Sequence, residues 1–317
     1  MGKPFLTIDQ QIGLLRSRGI EVDGSTRSTL MREGYYSIVN GYKTPFIDGA
    51  ASRKAGDDRF IDGTTFGDLH KLFLFDRSLR ELTFHYLIRA EATVRTAVAY
   101  TFAEAHRNPD DYILQDSYCT RDEYTAYGKS EKDYADELNN LTSILQKKRR
   151  NSRSEFVSHY REQYGAVPIW VLCNDLTFGN IEHFFNLMKP HEKERVCRMI
   201  ADSTGRLGDK KLGYFSVESA RVGLEVLVKF RNICAHDERL YCARVGDRKN
   251  VNYTKMIWML ERYLTSSEFY DFLSQLLGRI EGYEGTGDSA SHLLSSMGFP
   301  ELARKITERV EHIEDEE

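Results

Sequence analysis

Cysteine is scarce: Cys119, Cys173, Cys197, Cys234 and Cys242 are the five in 317 residues, and none lies in a CxxC pair. An odd number without paired spacing argues against a disulfide framework and for reduced thiols. There is no HExxH and there are no closely paired His or Cys ligands, so no metal site is expected. The pairs Glu182-His183 and His191-Glu192 stand isolated. No Walker loop and no GxGxxG occurs, which excludes nucleotide chemistry of those types and implies no cofactor. The start, Met1-Gly2-Lys3-Pro4-Phe5, has no apolar signal core, and no apolar run reaches the length of a membrane span. The expectation is a cytoplasmic protein without a membrane partner. A net charge of −4 excludes a general polycation, so any nucleic-acid contact must come from a local patch.

The hydrophobic fraction is 41% and the charged fraction 29%, enough for a substantial core in a soluble globular chain. Strand-like alternation is scarce and helical periodicity dominates, so the fold class is all-α. Thr7 and Gln10 form a capping box before a first helix. Ser25 to Tyr42 reads as two short helices separated at Gly34, and Gly49 to Gly63 as a polar loop. From Thr65 to about Arg107 there is no Pro and only Gly67, with helical spacing of Leu69, Leu72, Leu79, Tyr86, Val94 and Val98. A helix of that length is long for a globular protein, which predicts a break inside it. Ile169 to Met188 reads as buried, with a bend at Gly179. Glu281 to Ser289 reads as a loop before a last helix at about Pro300 to His312, and the end of the chain is acidic. The division is an N-terminal helical subdomain over 1–62, a helical core over 63–265 and a C-terminal helical segment over 266–317.

The stretch from Phe230 to Tyr241 carries the chemistry. It contains Arg231, the polar Asn232 directly after it, and His236 five positions on from the Arg. Arg is a permanent cation with a planar fork suited to phosphate, and His exchanges protons near neutral pH. The spacing predicts a helix from about Ser216 to Ala235. On it Val217, Ala220, Leu224, Leu227, Arg231 and Cys234 share one stripe, and Val222, Val226, Phe230 and Ile233 a second apolar one. Arg231 therefore falls on a side expected to be covered and needs a partner. That partner is the carbonyl end of its own helix, or a carboxylate. Asn232 and His236 are four apart, so the amide can orient the ring. On a continuous helix Arg231 and His236 would point about 140° apart. Either the helix ends before His236 or the Arg side chain wraps round.

Two other groups are candidates. Glu91 and Arg95, four apart, form either a helix-surface pair or, through Glu91, the partner that Arg231 needs. The run Lys147-Lys148-Arg149-Arg150 can hold a phosphate backbone, or is a solvated helix end favoured by the helix dipole.

Several segments in order carry a resemblance. They are Lys3-Pro4-Phe5-Leu6-Thr7, Tyr35-Tyr36-Ser37-Ile38-Val39-Asn40-Gly41-Tyr42, Phe75-Asp76-Arg77-Ser78-Leu79-Arg80 and Glu91-Ala92-Thr93-Val94-Arg95-Thr96. Pro168-Ile169-Trp170-Val171-Leu172 through Thr177-Phe178-Gly179 follows, and Arg231 to Leu240 completes the set. From Lys3 to about Leu264 the chain resembles the bacterial abortive-infection (Abi) proteins of the AbiD/AbiF type, within the HEPN group. The resemblance implies a HEPN-like helical bundle and a metal-independent endoribonuclease acting in phage defence or as a toxin. It also implies a homodimer, an RNA substrate and, in some members, a small non-coding RNA antitoxin. The signature of the group is Arg, often with a polar residue next, and then His after a short spacer; Arg231, Asn232 and His236 match it. Another branch carries a Tyr shortly after its His, a target of adenylylation; that position is Glu238 here.

One chain offers one motif His, whereas cleavage by 2′-hydroxyl attack needs a base, an acid and a cation for the crowded phosphorus. Two copies around a two-fold axis would pool two His236 and two Arg231. The competing expectation is a module that grips RNA or a nucleotide with the same residues and does not cut.

Overall fold

A computed structural model of the chain describes residues 4–210, 212–246, 250–284, 294–295 and 298–314. The capping box of Thr7 and Gln10 opens α1 (Ile8–Ser17). α2 (Thr26–Glu33) ends at Gly34, whose φ of 81° favours glycine. The second short helix expected here is a π-helical turn over Tyr36–Asn40. The expected loop after it contains α3 (Gly49–Ala55). Its sequence has no apolar periodicity, but Asp48 accepts hydrogen bonds from the Ala50 and Ala51 amides, both at 2.9 Å, and so nucleates it.

α4 (Phe66–Ala105) is a single helix of 40 residues, about 60 Å long. The expected break does not occur. Thr65 and Asp68 cap the start reciprocally, and Gly67 sits harmlessly in the first turn. Buried residues continue from Phe66 through Leu79 and Val94 to Phe102, so tertiary cover is available along the whole length. Each fully buried Leu or Phe contributes roughly 1.5–3 kcal/mol, which offsets the weak stability of a long isolated helix.

α5 (Arg121–Thr125), α6 (Glu131–Asn151), α7 (Glu155–Tyr164), α8 (Ile169–Leu172), α9 (Phe178–Leu187) and α10 (Pro190–Ser203) follow. Then come α11 (Val217–Ala235), α12 (Tyr253–Leu260), α13 (Ser266–Glu284) and a last helix over Phe299–Glu314. Among the described residues the strands are Arg244–Val245 and Val251–Asn252, paired antiparallel. The fold is an all-α bundle, and α4 is its axis, packed against α8, α9, α10, α11 and α13. The bend expected at Gly179 falls at Leu176 and Thr177 instead. Thr177 caps α9, and Gly179 lies in its first turn, where a methyl would stand 3.7 Å from Val228 of α11. α13 runs on through the first residues of the loop expected from Glu281. The rest of that loop, 285–289, and the acidic end, 315–317, lie outside the described residues. Among the described residues no helix is long and apolar enough to cross a membrane.

Candidate functional site

Ser216 caps α11 as its spacing predicts, and the helix presses Ala220, Leu224, Leu227 and Phe230 into the core against α4, α9 and α12. Arg231 begins the last turn. Its side chain is 26% exposed rather than covered, because its long stem carries the guanidinium past the packed stripe to the surface. Both readings of Glu91 hold at once. Its carboxylate is buried, accepts a hydrogen bond from Arg95 Nη2, and stands 3.3 Å from Arg231 Nε. Arg231 Nε is itself buried and makes no hydrogen bond, so that contact is charge pairing rather than an aligned bond. Arg231 Nη1 donates to Asn232 Oδ1 at 3.4 Å, and its guanidinium carbon lies 5.9 Å from the centre of the Phe84 ring. Nη2 makes no hydrogen bond among the described residues.

The helix ends just before His236, while the His236 amide still keeps the helical bond to the Asn232 carbonyl. Its side chain therefore leaves close to the bearing that the spacing gives, and Arg231 reaches the surface on its long stem. α11 stops at Ala235; His236 is the C-cap with φ −102° and ψ 14°. Asp237 follows at φ 58°, the one non-glycine residue with positive φ among those described. The Glu238 amide then returns to the Ile233 carbonyl at 3.1 Å, the six-to-one bond of a Schellman ending. The His236 ring is exposed and makes no hydrogen bond among the described residues. The amide of Asn232 does not hold it; the bond between those residues is backbone, from the His236 amide to the Asn232 carbonyl at 2.9 Å.

Asp237 keeps its left-handed conformation because Arg80 Nη2 donates to it. Arg80 is buried on α4, and behind it lies a polar cluster that sequence reasoning did not assign. Asp76, fully buried, accepts from Tyr42 Oη at 2.7 Å and Arg80 Nη1 at 2.7 Å. It also accepts from the Leu240 and Tyr241 amides at 3.2 and 2.7 Å. Burial pushes the Asp76 carboxyl up, and the donations from Tyr42, Arg80 and the two amides oppose that rise. The cluster ties the segment after His236 to α4 and to the chain next to the π-turn. A cleft of about 590 Å³, lined by Tyr36, Asn40, Asp237, Glu238, Arg239 and Arg244 among others, opens beside it.

A family model described as Abi-like protein matches residues 28–242 of the chain, from α2 to just beyond Tyr241. The chain belongs to this Abi-like family. The matched span takes in Asp76, Arg80, Glu91, Arg95 and the whole Arg231–His236 stretch. No curated protein and no solved structure matches the chain.

In this Abi-like chain the basic run is the last turn of α6, and half of it is neutralised. Lys148 pairs with Asp175 at 3.1 Å and Arg149 with Asp110 at 2.7 Å. Lys147 and Arg150 are exposed without an ion pair among the described residues. Glu182 and His183 belong to separate contacts: Glu182 takes Asn186, and His183 Nδ1 lies 2.7 Å from Glu137. Glu192 binds His106 Nε2 at 2.8 Å. Among the described residues no group of three or more His, Cys, Asp or Glu is disposed to hold a metal ion.

Proposed function

We propose that this Abi-like protein is a HEPN-type endoribonuclease of the AbiD/AbiF kind, an effector of bacterial anti-phage defence that cuts RNA at a site shared by two copies of the chain. The observation that carries the reading is a partly exposed Arg231, charge-paired with buried Glu91, five residues before an exposed His236 at the end of the same helix, where Asp237 turns the chain. In the reaction, one His236 removes the proton of a ribose 2′-hydroxyl. The 2′-oxygen attacks the adjacent phosphorus and the bond to the 5′-oxygen breaks. The second copy's His236 donates a proton to that leaving oxygen. Products are a 2′,3′-cyclic phosphate and a 5′-hydroxyl. Arg231 Nη2 stabilises the charge that builds on the non-bridging oxygens, and Asn232, bonded to the same guanidinium, keeps it splayed. A small non-coding RNA that occupies the same cleft would act as antitoxin.

The test is cleavage of labelled RNA in the presence of EDTA, with analysis of the ends. His236→Ala folds as the wild type, since its ring touches nothing, and loses about 10²–10⁴ of the rate. Arg231→Ala loses roughly 10²–10³. Wild-type cleavage by His236→Ala rejects the assignment. Tight RNA binding by the wild type without cyclic-phosphate ends favours the non-cutting module instead.

A further inference from the structure

A groove of about 580 Å³ runs along α4 from Arg95 to its end and on to Arg107, walled opposite by Trp170 and Asn174. At 1.5 Å per residue the α4 side, from Arg95 to Ala105, is about 15 Å long. Two aromatic rings stand in it half in water, Tyr100 at 52% and Trp170 at 54% exposure. Cations flank them. Arg107 is exposed and has no ion pair among the described residues, and Arg95 carries a buried Nε without a hydrogen-bond partner. The groove's carboxylate, Glu104, is matched by Arg195 at 3.3 Å. The two ends of the groove matter most. At one end Arg95 bonds Glu91, the residue that steers Arg231. At the other, Arg107 leads on to Asp110, and ion pairs tie both walls to the basic end of α6. Asp175, next to Asn174, holds Lys148, and Asp110, just beyond Arg107, holds Arg149. Lys147 and Arg150, in the same part of α6, are exposed and carry no ion pair among the described residues.

We propose that this groove is a stacking track for unpaired bases of an RNA strand that runs from the Arg231–His236 site to the basic end of α6. The substrate class rests on the ribonuclease reading; the track itself does not. Trp and Tyr faces stack on any base while the cations follow the backbone, so binding there is tolerant of sequence. A duplex hides its base faces and cannot use the rings. The arrangement also gives the basic run a role that its half-neutralised charges alone do not supply.

The experiment uses the full chain carrying His236→Ala, which does not cut, and Trp258→Phe, which leaves Trp170 as the only tryptophan of the two present. The probe is a mixed-sequence single-stranded RNA oligonucleotide, with the same sequence as a duplex for comparison. Trp170 fluorescence is expected to fall on adding the single strand and not the duplex. Trp170→Ala weakens binding roughly 10-fold or more, and Trp170→Phe restores most of it. Arg107→Ala, a change at the exposed rim that leaves folding intact, lowers the salt dependence of binding by about one phosphate contact. Unchanged affinity in Trp170→Ala and Arg107→Ala, equal quenching by duplex, or a Trp170→Ala effect confined to self-association overturns the track. If the wild type cuts RNA and these variants bind normally, the track falls and the ribonuclease stands. If the wild type cuts nothing while Trp170 is quenched by single strands, the ribonuclease falls and the track stands.

Discussion

Replacing Asp76 by Asn tests the cluster behind His236. The change keeps size and shape. The carboxylate receives four donors, with the Tyr241 amide on Oδ1 and the Tyr42, Arg80 and Leu240 groups on Oδ2. Asparagine offers one oxygen. In either orientation its NH₂ faces at least one buried donor, which is left unsatisfied. The charge that balances Arg80 also goes, and the remaining carboxylate near Arg80, on Asp237, is 66% exposed. Breaking a buried pair by removing one member costs about 3–5 kcal/mol. Burial already pushes the Asp76 carboxyl up, so the lower end of that range applies. In a chain of this size about 3 kcal/mol lowers the melting temperature by roughly 5 °C. The assay is thermal unfolding followed by circular dichroism, with a urea titration at 25 °C. A midpoint within about 1 °C of wild type refutes the reasoning. At a temperature where Asp76→Asn is fully folded, cleavage is expected to slow while RNA affinity holds, because the loop bearing His236 is loosened. Full cleavage there would mean that the cluster supports stability and does not position His236.

Gly223 tests the packing of α11 on the turn after α12: a methyl at this position would sit 2.8 Å from Tyr263 Oη, so Gly223→Ala is expected to cost about 1–3 kcal/mol. Adding Tyr263→Phe removes the clashing oxygen and recovers much of that loss; strictly additive effects in the double-mutant cycle would disprove the steric account. Acid stability tests Glu137. Burial opposes its charge, but the His183 and Tyr124 donations and the Lys129 charge hold its carboxyl down at about 2, against an ordinary 4.5. Its contribution is complete above that ordinary value and is lost as pH falls from about 4.5 towards 2. The His183 ring is raised by the same hydrogen bond, so its contribution is full below its ordinary 6.5 and fades as pH rises through the raised value. Melting curves across pH show this directly, and an acid limb that is unchanged in Glu137→Gln speaks against it.

The helical fold was legible because apolar spacing runs along most of the chain and a cap such as Thr7 with Gln10 marks its helix without help from tertiary structure, whereas the Thr177–Asn180 cap that starts α9 went unread. Local rules failed where long-range contact decides. The break expected in α4 assumed a helix supporting itself, whereas its neighbours cover it from end to end. The π-turn after Gly34 and the short α3 carry no periodicity to read. At the site, Glu91 and Arg95 were legible as a pair four apart, and Glu91 as a partner for Arg231. Asp76 and Arg80 were not, since Arg80 meets Asp237 across 157 positions and Asp76 meets the Tyr241 amide across 165. Nor does spacing reveal that Asp237 takes a left-handed conformation, which is what turns the chain away from the helix after His236.

Arg80, Glu91, Arg95 and Tyr100 all project from one uninterrupted rod, so their relative bearings follow from residue count. A single residue inserted between Arg80 and Glu91 would rotate everything beyond it by about 100° and shift it by about 1.5 Å. The anchor of the His236 segment and the steering carboxylate of Arg231 would then face different neighbours. α4 therefore works as a gauge: a change of length inside it would misalign the groups that a change in a connection would leave in place.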